Sequence, residues 1–74
     1  MAGRNFWAVA DGEAWLVYEE GLPGQSTRHA DRDQAWAVAN QRAAELKGEA
    51  FLREADGTLV DRRNHSEFPL GLAP

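Results

Sequence analysis

The chain has 74 residues, with 8 Lys and Arg against 12 Asp and Glu for a formal charge of −4, 43% apolar residues and no cysteine. So short a chain holds one small domain that buries about 60% of the surface it exposes when unfolded, for a core stability of roughly 3 to 5 kcal/mol. Disulfides and thiolate metal sites are excluded, which leaves packing or self-association to stabilise it.

No run approaches the roughly 18 to 20 apolar residues of a membrane span. Met1-Ala2-Gly3-Arg4 leads into alternating residues rather than the long apolar stretch of a signal peptide, so a cytoplasmic protein is expected. Asp11-Gly12 then lies between two segments rich in aromatic and β-branched residues, the strongest short hairpin signal. It predicts a hairpin pairing Asn5 to Val9 with Ala14 to Glu19. Glu20-Gly21-Leu22-Pro23-Gly24-Gln25 reads as a loop, because its glycines and proline interrupt a ladder, and Ser26 to His29 could add a short third strand.

Asp31-Arg32-Asp33-Gln34 has the form of a capping box, with the Asp31 carboxylate taking the amide of Gln34 and the Gln34 side chain reaching back. A helix is predicted from Arg32 to about Lys47, stopping at Gly48. At 100° per residue, Ala35, Trp36, Ala39, Ala43 and Leu46 share a stripe about 100° wide, and its alanines let the helix approach a sheet closely. Asp56-Gly57 marks a second hairpin, pairing Glu49 to Glu54 with Thr58 to Arg62 around a three-residue turn. Asn64 to Pro74 has no periodicity, and its Pro and Gly bar a continuing strand. The order is therefore ββ(β)αββ, an α+β two-layer sandwich: an antiparallel sheet of two hairpins with one helix on one face. Residues 1–63 form the domain and 64–74 an irregular tail.

Turning the first hairpin at Asp11-Gly12 sets Val9 against Ala14, Trp7 against Leu16 and Phe6 against Val17. Side chains alternate along a strand, so Phe6, Ala8, Trp15 and Val17 share one face while Trp7, Val9, Leu16 and Tyr18 share the other. In the second hairpin Leu52 is expected opposite Val60, with Phe51 and Leu59 on the other side. Both faces of the first hairpin are apolar, yet one helix covers one face. The remaining face, Trp7, Val9, Leu16 and Tyr18, calls for a cover: the tail, with Phe68 folding back, a second copy of the chain, or a foreign protein.

Trp15-Leu16-Val17 followed by Glu20-Gly21, the helix opening Asp31-Arg32-Asp33-Gln34-Ala35-Trp36 with Ala39 and Ala43, then Glu49-Ala50-Phe51-Leu52 and Asp56-Gly57-Thr58-Leu59, together resemble the DUF2188 family of small bacterial and phage-associated proteins. The resemblance spans about Phe6 to Arg63 and implies the fold but no catalytic residues. Two positions depart from the family pattern. The Thr that leads the family's helix is Asp31 here, which keeps a cap, and its frequent His after the third apolar strand residue is Arg53.

Catalysis finds little footing. Ser26 and Ser66 sit outside any Gly-x-Ser-x-Gly elbow, and His65 beside Ser66 reads as an exposed tail residue. His29 with Asp31 and Asp33 lacks metal-ligand spacing once Asp31 caps the helix and Asp33 faces its dipole. No phosphate-cradling loop is present, and no cofactor, metal or small-molecule substrate is expected. A nucleic-acid surface needs basic groups around its aromatics, whereas Glu13, Glu19 and Glu20 border this one; Arg53, Arg62 and Arg63 form the sole basic cluster. The expectation is a non-enzymatic module that binds a protein partner or itself, as a homodimer, through Trp7, Val9, Leu16 and Tyr18. An alternative is a phage- or plasmid-type acidic inhibitor of a nucleic-acid-processing or defence complex, of the anti-CRISPR kind. It would present Glu13, Glu19, Glu20, Asp31 and Asp33 at one end of the molecule. A nucleic-acid-binding accessory protein is a second alternative.

Overall fold

The computed structural model describes residues 4–65. Five strands, β1 (Asn5–Asp11), β2 (Ala14–Glu19), β3 (Leu22–His29), β4 (Glu49–Arg53) and β5 (Leu59–Asn64), form one sheet in the order β3-β2-β1-β4-β5, and α1 (Arg32–Leu46) packs on it between β3 and β4. This is the α+β fold read from the sequence. The hairpins are antiparallel within themselves, but they join through β1 and β4, which run parallel. The physical reason is β3. It lies antiparallel to β2 and so runs with β1, and the helix returns the chain to start β4 in that same direction. Among the described residues, no helix is long and apolar enough to cross a membrane.

β3 begins at Leu22, so the predicted loop from Glu20 to Gln25 shrinks to a turn at Glu20-Gly21, with Gly21 at φ 92°. Proline and glycine are tolerated there because β3 is an edge strand and its ladder is interrupted between Glu19↔Leu22 and Val17↔Thr27. In the first hairpin the turn centre is Gly12-Glu13, with Asp11 still paired to Ala14 and Gly12 at φ 64°. Glycine at the first central position suits a tight hairpin turn. Phe6 therefore faces Glu19 rather than Val17, and Trp7 faces Tyr18 rather than Leu16. A displacement of two residues preserves the alternation, so every side chain stays on its expected face.

The second hairpin keeps its three-residue turn: the Glu54 amide donates to the Thr58 carbonyl at 2.9 Å across Ala55-Asp56-Gly57. Beyond Arg53↔Leu59, Val60 is an extra residue, so Leu52 faces Asp61 rather than Val60. The strand also runs past its predicted end to Asn64. His65 is not the free tail residue expected. It is half-buried, its amide donates to the Gly48 carbonyl at 2.8 Å, and its ring Nε2 lies 2.8 Å from Asn40 Oδ1 on the helix. Phe68 and Ser66 lie outside the described residues.

Asp31 caps the helix as predicted, its Oδ1 accepting from the Gln34 amide at 2.8 Å; the return bond from the Gln34 side chain is absent among the described residues. Ala35, Ala39 and Ala43 are fully buried against Phe6, Ala8, Val17, Ala50 and Leu52, with Trp15, Trp36 and Val38 packed at the margin. Leu46, expected in the stripe, is exposed. The helix ends one residue before the expected stop. Lys47 takes the left-handed conformation at φ 58°, with Lys47 N donating to Ala44 O at 3.4 Å and Gly48 N to Ala43 O at 2.8 Å.

Gly48 serves a different purpose from chain reversal: a Cβ there would fall on the Arg4 carbonyl, which accepts the Glu49 amide at 3.0 Å. Gly48→Ala should therefore lower unfolding free energy by about 2 to 4 kcal/mol. Lys47→Gly should raise it by about 0.5 to 1 kcal/mol by relieving left-handed strain. Urea melts of the two variants check this opposition.

In the β4–β5 turn, Thr58 donates hydrogen bonds to the exposed Asp56 carboxylate, the backbone one at 2.8 Å, and holds its pKa below the ordinary 3.8. A depressed folded-state pKa adds stability that is complete above 3.8 and fades as pH falls through the folded value. A carboxyl NMR titration should place the Asp56 midpoint below 3.8, and Thr58→Val should move it back upward.

Candidate protein-binding face

The sheet surface away from the helix is built by alternation from all five strands. Register places Tyr18, Trp7, Phe51 and Arg62 side by side in one row across β2, β1, β4 and β5. One row toward the C-terminal end of β1 come Arg28, Leu16, Val9, Arg53 and Leu59. One row the other way come Glu20, Asn5, Glu49 and Asn64, with the Glu20 amide donating to the Asn5 carbonyl at 2.8 Å. All four sequence-predicted residues, Trp7, Val9, Leu16 and Tyr18, are thus on this face and half-buried, while the helix covers the opposite one.

Trp7 sits at the centre and is fixed from several sides. Its ring stacks on Phe51 with centroids 4.4 Å apart and planes 17° from parallel. The Arg53 guanidinium carbon lies 5.0 Å from the Trp7 ring centroid, a cation–π distance. Its indole N–H donates to Glu20 Oε1 at 2.9 Å, an oxygen that also takes a 3.5 Å contact from Asn5 Nδ2. Phe51 and Arg53 were not among the expected site residues. Their alternation was legible, since Phe51 was placed away from Leu52; the parallel pairing that brings β4 beside β1 was not.

Surrounding charges are paired on the surface: Arg62 with Glu49 at 3.1 Å, Arg28 with Asp11 at 3.3 Å, and Arg4 with Glu19 at 3.1 Å. Among the described residues Arg53 has no carboxylate partner. The five acids of the alternative reading do not share one end. Glu13 precedes β2 and Glu20 follows it, with the six residues of the strand between them and about 23 Å of strand length from one to the other, and Glu19 is beside Glu20. Asp31 and Asp33 follow β3, whose His29 pairs with Trp15 near the Glu13 end. The basic cluster divides likewise, because Arg62 lies on the open face and its neighbour Arg63, paired with Ala50, on the helix side.

Among the described residues no polar or charged residue is buried and no three His, Cys, Asp or Glu side chains gather as metal ligands. His29 instead has its Nε2 2.9 Å from Thr27 Oγ1, and Ser26 is exposed on β3. What the open face offers is apolar contact around a rigid indole.

A family model described as an uncharacterized protein conserved in bacteria, DUF2188, matches residues 6–65. The chain belongs to the DUF2188 family. No curated protein and no solved structure matches it. Within this DUF2188 chain, Glu20→Gln should shift the Trp7 indole N–H resonance, since the acceptor loses its charge. Stability should change by less than about 0.5 kcal/mol, because Glu20 is exposed. An ¹⁵N-resolved NMR spectrum with a thermal melt reads both.

Proposed function

We propose that this chain is a small non-enzymatic protein-binding module that works through its open sheet face, with Trp7, Leu16 and Tyr18 as anchors and Val9 and Phe51 beside them. One observation carries the reading: a tryptophan stacked, hydrogen-bonded and half-exposed on the face that the helix leaves uncovered. Large side chains that are already immobile lose little conformational entropy on contact, which is why such residues dominate protein interfaces. Nucleobase stacking is less well served, because Phe51 and Arg53 of the same chain already engage the Trp7 ring and the chain carries a charge of −4.

Trp7→Ala combined with Tyr18→Ala should abolish complexes that form with the wild-type chain, by at least about 100-fold in affinity, while circular dichroism still shows a folded protein. Those complexes should weaken only modestly with added salt, whereas a carboxylate-based contact would weaken steeply. Complexes that survive the double change, or a chain that unfolds because of it, would assign these residues to some other task.

A further inference from the structure

We infer that the occupant of the open face is a second copy of this chain, stacked face to face about a twofold axis that runs across the strands. The inference rests on the reading of that face as a protein contact and adds its partner and orientation. The first support is charge order. Along β1 the face passes from an acidic row, Glu20 and Glu49, through the row of Tyr18, Trp7, Phe51 and Arg62, to a row holding Arg28 and Arg53; Glu49 is 3.1 Å from Arg62 and Arg28 3.3 Å from Asp11, so a second copy would share these charges rather than meet them bare. The acidic and basic rows are about 13 Å apart.

Two sheet faces that stack with their strands aligned are related by a twofold axis lying between them either along or across the strands. An axis along the strands keeps the rows in place, so the acids of both copies share one row and their arginines another. An axis across the strands through the Trp7 row reverses them, bringing Glu49 of one copy to Arg53 of the other and setting Trp7, Phe51 and Tyr18 against their own counterparts. Only the second choice brings Arg53 a carboxylate, a partner it lacks among the described residues. A self-complementary patch of this kind is what a twofold homodimer requires.

The second support comes from the sheet edges. β3 is interrupted between Val17↔Thr27 and Glu19↔Leu22, and β5 carries the extra Val60, so neither edge presents an even ladder for a strand of another copy. Association through the sheet is thereby directed to its face. Five strands and three rows give a contact of roughly 20 by 20 Å, about 400 Å² per copy and below the size of a stable specific interface, so the dimer is a weak one that should depend visibly on concentration.

Sedimentation equilibrium of the purified full chain from micromolar to millimolar should show the mass rising from one copy to two. Because the chain has no cysteine, introduced thiols report the orientation cleanly. Arg62→Cys, in the Trp7 row but outside the anchors, should cross-link to itself through a short bis-maleimide, because facing sheets stand about 10 Å apart. Glu49→Cys and Arg53→Cys, both half-buried, should cross-link with the same reagent when mixed and not alone, which keeps the test open if Arg62→Cys misfolds. Self-cross-linking of Arg53→Cys or Glu49→Cys in place of the mixed product would overturn the axis. A mass of one copy throughout overturns the second copy. Dimers that appear only after Phe68, Leu70 and Leu72 are changed to Ser would identify the chain's own end as the occupant and also overturn it. A purified chain that stays single while Trp7→Ala with Tyr18→Ala removes a co-purifying protein refutes the dimer but leaves the binding reading standing; if neither assay responds, both fall.

Discussion

Three alanines set the distance between helix and sheet, and most of this molecule follows from that spacing. Ala35, Ala39 and Ala43 recur every fourth residue and are fully buried against Phe6, Ala8, Val17, Ala50 and Leu52. A stripe without bulk lets the helix lie close and centres it on β1, the strand flanked by both β2 and β4. The cost is a thin core whose largest completely buried side chain is Val17. Few methylenes leave water per residue, so the loss of a local device such as the Asp31 cap or the close approach at Gly48 is large against the small total.

The same geometry explains which features were legible in the sequence. Side-chain alternation depends on local backbone alone, so the two faces of β1 and β2 could be assigned even though the pairing was displaced by two residues. The Asp31 cap and the Ala55-Asp56-Gly57 turn are equally local. The parallel contact of β1 with β4 is not, because it joins segments separated by the helix and depends on the direction in which β3 runs. Pro23 and Gly24 concealed β3, since their composition indicates a loop unless the strand is known to lie at an edge. Gly48 looked like a helix stop, whereas Lys47 takes the left-handed turn and Gly48 makes room for Arg4, a tertiary demand with no local signature.

The candidate site was legible to the same extent. Trp7, Val9, Leu16 and Tyr18 follow from alternation within one hairpin, while Phe51 and Arg53 require the parallel junction. The charged residues show the opposite hazard. Glu13, Glu19 and Glu20 are close in sequence but lie at opposite ends of β2, since a strand advances about 3.3 Å per residue and its two ends are far apart. Arg28 and Asp11, distant in sequence, are joined at 3.3 Å. Net charge therefore says little here, and the order of charges along the sheet says more.

The thin core and the apolar open face are linked through stability. A partner that binds the native chain and not the unfolded one adds stability by mass action, in proportion to the logarithm of its concentration relative to its dissociation constant. At a hundredfold excess over that constant the gain is about 2.7 kcal/mol, comparable with the roughly 3 to 5 kcal/mol that so small a core supplies alone. Half-buried aromatics on the uncovered face are in this sense a reserve of burial that the single helix cannot use. Trp7 is held in place by Phe51, Arg53 and Glu20, an arrangement that fixes a half-buried ring on the face away from the helix.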